Sequence, residues 1–212
     1  MNRLLLCLAL IIFVVSFLNA SYNCNDFEKV FPSIPGESTS TIKRPMVEGA
    51  TYFFQSYGAA NYLLAEGEAS DNGFFDLNSS SSYLNEAISK LEISRDKYNE
   101  AYQLASALNY IDLRITQLKG FDYSKYATEN NLNLEIMEQV SKILSKGDVR
   151  GFYKENIDNV EKILDTLYII KSDLLKGQKP TTKTYWGLIR QYSDALLFGN
   201  YATAAAQEAF NN

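Results

Sequence analysis

The chain has 212 residues, 20 of them Lys or Arg and 25 Asp or Glu, for a formal net charge of −5, and it contains no histidine. The missing imidazole excludes Ser/His/Asp and Cys/His nucleophilic centres, histidine-ligated haem, Glu-x-x-His di-iron sites and zinc sites of the usual protease type. A mildly acidic chain without Lys/Arg clusters also offers no electrostatic reason to bind nucleic acid or anionic lipid.

Residues 1–20 have the layout of a secretory signal peptide. Arg3 gives a positive start, Leu4 to Leu18 is an uncharged apolar run, and Asn19-Ala20 closes it with a small residue. The run is shorter than the roughly 20 residues that span a bilayer as a helix, so cleavage after Ala20 and a periplasmic or secreted chain are expected. A retained signal anchor is the alternative. Cys7 leaves with the signal, and Cys24 is then alone, which rules out an intrachain disulfide. Membrane contact requires either retention of the signal segment or lipidation of Cys24, and the preceding Ser21-Tyr22-Asn23 does not resemble a lipobox.

Residues 21–45 hold three of the four prolines and the Ser/Thr cluster of "FPSIPGESTSTIKRP", which predicts an extended arm. From 46 to 212 a single all-helical domain is expected. In the first helix Met46, Ala50, Phe53, Tyr57, Ala60 and Leu64 recur at steps of four and three, lining one face. After "GEASDNGFFDLN", a loop whose Asp71, Asp76 and Asn78 lack the spacing of a calcium site, the serines 79–82 are candidate caps for a second helix. That helix carries Leu84, Ile88, Leu91, Tyr98, Ala101, Ala105 and Leu108. Its pattern continues through Ile111, Ile115 and Leu118 to Gly120, where a left-handed stop is expected. A third pattern, Leu134, Met137, Val140 and Leu144, ends at Gly147. Asp148 then caps a helix through Ile157, Val160, Leu164, Leu167 and Leu174, closed by Gly177 and Pro180. The last helix starts near Thr181 or Thr182 and shows Tyr185, Leu188, Tyr192, Ala195 and Ala202. No segment alternates as a strand does. The fold expected is all-α, either an antiparallel bundle of four to five helices or an open stack of TPR-like hairpins, which share the same local periodicity.

The aromatic surplus nominates the site. Tyr57, Tyr98, Tyr185 and Tyr192 fall on apolar helix faces, and each buried tyrosine needs a partner for its hydroxyl. Together with Phe53, Asn61 and Trp186 they are the candidate lining of a pocket for a small apolar ligand between helices. Asp112 and Lys171 interrupt apolar faces and are candidates for a buried pair that fixes helix register. No metal ligand set or cofactor motif is present. Carboxylate-only chemistry on glycans is formally open, but no pair of acids nominates itself and no catalytic residue is assigned.

The order of four pieces resembles the T-component of TRAP transporters, periplasmic helical proteins with degenerate TPR-like hairpins. The pieces are "SYGAANYLLAEGEA" (56–69), "EAISKLEISRDKYNEAYQLASAL" (86–108), "KGF" (119–121) and "KILSKGDVRGFY" (142–153). Lys154 departs from that pattern, which has a tryptophan after the aromatic, and the C-terminal helix pairs are fewer. The resemblance implies an accessory role beside a solute-binding protein. The expected function is therefore non-enzymatic binding in the cell envelope through a protein partner, with a small apolar ligand as a further possibility. The alternatives are a stand-alone small-molecule binder and a carboxylate-only glycan-acting enzyme.

Overall fold

The computed structural model describes residues 40–107, 115–147 and 149–211. Residues 1–39, with the expected signal segment, most of the expected arm and Cys24, and Leu108, Ile111, Asp112 and Asp148 lie outside the described residues. Among the described residues there are seven helices and no strand: α1 (Ser40–Asp71), α2 (Leu77–Ala107), α3 (Ile115–Gly120), α4 (Tyr123–Glu129), α5 (Leu134–Leu144), α6 (Val149–Leu175) and α7 (Thr182–Asn211).

The long helices form because buried positions recur at alternating steps of four and three. On α1 these are Gly49, Phe53, Ser56, Ala60, Leu63 and Gly67; on α2 they are Ser80, Leu84, Ala87, Leu91, Ser94, Tyr98 and Ala101. Such a repeat keeps one seam facing the neighbouring helices. Helices α1 and α2 pack together, α2 packs on α6, α6 on α7, and α7 returns to α1. The ring is closed, so the long helices form a four-helix bundle and not an open stack. Neighbours run antiparallel: Asp71 at the end of α1 accepts the Thr182 N–H at the start of α7 (3.3 Å), and the Tyr168 hydroxyl of α6 donates to Glu92 of α2 (2.5 Å).

The three short helices fill the crossing from α2 to α6. α5 lies on α7 and α6, α4 on α5, and α3 on α7. The Tyr123 hydroxyl donates to the Leu118 carbonyl (2.8 Å), and Tyr201 accepts the Asn133 N–H (3.3 Å). Phe152 and Phe198 stack beside them with ring centroids 5.9 Å apart.

Helix ends depart from expectation where side-chain chemistry competes. α1 begins at Ser40 and takes in Pro45, giving up one backbone hydrogen bond, so helix starts within the stretch expected to be an arm. α1 also runs on to Asp71, leaving only 72–76 as the connection. The cap of α2 is Asp76 and not a serine of 79–82, since its carboxylate accepts the Asn78 N–H (3.0 Å) and the Ser79 hydroxyl (2.7 Å). An ionised acceptor outcompetes a hydroxyl at a helix start. α3 does end at Gly120, but without the left-handed φ that Gly147 (67°) and Gly177 (77°) adopt. The seven-residue α4, capped by Asp122, has no counterpart among the expected elements.

Candidate functional site

Three of the nominated rings meet where α1 and α7 cross. Tyr192 is fully buried, with Phe53 edge-on at 5.2 Å and Tyr57 tilted at 5.3 Å between centroids. Its hydroxyl lies 2.5 Å from Ser56 Oγ, which itself donates to the Ala87 carbonyl at 2.6 Å. A serine has one proton to give, so Tyr192 is the donor to Ser56. The result is a buried relay across α7, α1 and α2. A second buried serine, Ser94, donates to the Gly49 carbonyl (2.8 Å), tying α2 back to α1. Burial holds the Tyr192 hydroxyl well above the ordinary phenol range, its bond to Ser56 acting in the opposite direction.

Tyr98 lies against the same region from α2, and its ring rests over Gly49. Between Tyr98, Phe53, Asn156, Asn159 and Ala195 is a cleft of about 20 Å³, room for a single water molecule. The nominated tyrosines thus fill this region with their own rings. The other nominated residues lie apart. Asn61 donates to the Tyr57 carbonyl of its own helix (2.8 Å). Tyr185 is fully buried one heptad from Tyr192, and Trp186 beside it points outward, 48% exposed. Burial and then the nearby Glu66 carboxylate push the Tyr185 hydroxyl up to about 12. Lys171 is half-buried on α6 with no ion pair among the described residues, and Asp112, its proposed partner, lies outside them.

The outer surface carries a feature that residue types alone did not reveal. The α1–α2 and α6–α7 turns adjoin at one end of the bundle, joined by the Asp71–Thr182 bond and by Lys179 Nζ, 5.3 Å over the Phe75 ring. At this end Phe74 is 79% exposed, Leu175 82%, Leu77 50% and Trp186 48%. Single exposed apolar side chains are ordinary, whereas here four lie in or beside two adjoining turns. About two helical turns away, Tyr62 and Tyr83 stack face to face at 4.9 Å between α1 and α2.

Polar chemistry inside the bundle is sparse. Among the described residues every Asp and Glu is at least partly exposed, and the buried polar side chains are the serines 56, 80 and 94. No cluster of three potential metal-ligating acids or cysteines occurs among the described residues, and none of their helices is long and apolar enough to cross a membrane. Comparison of the chain with protein-family models, with curated proteins and with solved structures gives no match.

Proposed function

We propose that the protein is a non-enzymatic accessory or adaptor protein of the cell envelope that binds a protein partner through the bundle end bearing Phe74, Leu77, Leu175 and Trp186. The observation that carries this reading is the concentration of exposed large apolar side chains in and beside two adjoining turns. The rings of Phe53, Tyr57 and Tyr192, candidates for a pocket lining, pack on one another, which supports recognition on the outside of the bundle. Placement outside the cytoplasm rests on the layout of residues 1–20. The similarity of four segments to TRAP T-components makes a solute-binding protein the partner of choice.

The test is a pull-down of tagged full-length protein from its native envelope in mild detergent, run beside the double variant Phe74→Ser/Leu175→Ser and quantified by mass spectrometry. The expected result is a stoichiometric partner with the native chain, reduced at least about tenfold with the variant, which is roughly 1.4 kcal/mol of binding. Equal recovery with both proteins would move the interface elsewhere. A bound small mass in native mass spectrometry, with no protein partner, would favour a stand-alone small-molecule binder.

A further inference from the structure

The Tyr192 relay has a counterpart one heptad along the bundle. Seven residues forward on α1 and seven back on the antiparallel α2 and α7 lead from Ser56, Ala87 and Tyr192 to Leu63, Ser80 and Tyr185. All three of these are fully buried. The second layer thus repeats the tyrosine but moves the serine from α1 to α2. Leu63 occupies the position whose hydroxyl accepts the tyrosine proton in the first layer. Both hydroxyls of the second layer, Tyr185 Oη and Ser80 Oγ, are without a hydrogen-bond partner. Neither is therefore within direct reach of the other. The Tyr185 ring is also held against Gly67 and cannot easily turn to find another acceptor. Native interiors rarely strand two buried hydroxyls, and an internal water bonded to them is the usual way such groups are satisfied.

We infer that Tyr185 and Ser80 form a binding site for one internal water molecule, which takes the place in this layer that the Ser56 hydroxyl has in the first. The water accepts the Tyr185 proton and donates to Ser80 Oγ. Its second proton remains for another acceptor, and Glu66 is near enough for its charge to act on Tyr185. The seam then alternates between a layer closed by protein hydroxyls and a layer closed by solvent.

A crystal structure of the full chain at better than about 1.5 Å, with a thermodynamic cycle of Tyr185→Phe and Ser80→Ala, tests the site. The expected density is an ordered water about 2.6–3.2 Å from both hydroxyls. Each single change should lower the unfolding constant's margin, and the double variant should differ from the product of the singles by at least about fivefold. A dry site, a direct Tyr185–Ser80 bond, or single changes that each stabilise and multiply independently would overturn the inference. Alanine and phenylalanine retain the helix and the ring, so the variants are expected to fold.

Discussion

The Cβ position of Gly67 would lie 2.5 Å from Cδ2 of Tyr185, so this glycine is the seat for a ring from the neighbouring helix. Gly49 stands in the same relation to Tyr98, at 2.7 Å, whereas Gly58 and Gly187 have nothing within 4 Å. One substitution therefore has two signs in this protein. Gly67→Ala forces a buried ring to shift and should destabilise by about 1–3 kcal/mol. Gly58→Ala, on an exposed helix interior, should stabilise by about 0.5–1 kcal/mol. Urea midpoints of the two variants moving in the same direction would refute the assignment.

The Tyr192 relay predicts an asymmetry between its members. Ser56→Ala strands the Tyr192 hydroxyl in the core and should cost about 1–3 kcal/mol. Tyr192→Phe leaves Ser56 bonded to the Ala87 carbonyl and should cost less, about 0.5–1.5 kcal/mol. The double variant should be no less stable than Ser56→Ala alone. Equal costs for the two single variants in chemical denaturation would show that the proton order is not the one assigned.

Stability should be flat across neutral pH and fall at both extremes. Without histidine, few groups titrate between about pH 5.5 and 9. On the acid side, the Lys97 ammonium and then the Arg44 guanidinium, each 2.9 Å away, hold Glu48 below the usual glutamate range. Its contribution is present above the unfolded value and is lost as pH falls through the folded one. On the alkaline side Tyr185 is raised to about 12, so its contribution is present below the ordinary phenol value and disappears as pH rises toward 12. Glu48→Gln should make the acid limb shallower and Tyr185→Phe the alkaline limb shallower, the remainder being carried by Asp76 and by the raised Tyr123 and Tyr192, as read from denaturation midpoints against pH. A midpoint that changes markedly between pH 6 and 8 would contradict this account.

Trp186 is the single tryptophan and lies at the exposed apolar end. Its emission in the isolated protein should be red-shifted and readily quenched by acrylamide, and partner binding should protect it. Phe74→Ser and Leu175→Ser should change folding stability by no more than about 0.5 kcal/mol while weakening the partner. A loss of several kcal/mol would place those side chains in the core and remove the surface.

Which features the sequence disclosed follows from what each residue type signals. The all-helical bundle was legible because Leu, Ile, Ala and Tyr repeat at helical spacing through α2, α6 and α7. On α1 the same criterion selected Met46, Ala50, Phe53, Tyr57, Ala60 and Leu64. The buried line instead alternates through Gly49, Ser56, Leu63 and Gly67, leaving Ala50, Tyr57 and Leu64 at its flank. Glycine and serine carry no apolar signal, yet they occupy the closest contacts because rings of α2 and α7 need the space. The meeting of Tyr192 with Phe53 and Tyr57 was foreseeable as aromatic matter on facing helices. The acceptor Ser56 was not, since a lone serine within a helix looks like any solvent-facing one. The exposed end was hidden for a different reason: Phe74 and Leu175 look like core residues until the two turns are seen to adjoin.

The antiparallel pairing of α1 with α7 has a mechanical consequence. Ser40 and Asn211 mark the ends of helices that leave the bundle on the same side. Force applied between them would peel α1 from α7 one layer at a time instead of shearing every layer together. Rupture would start at the Ser40 and Asn211 ends and pass through the Ser56–Tyr192 bond. The Gly67–Tyr185 seat and the Asp71–Thr182 bond, nearest the apolar turns, would be the last to open.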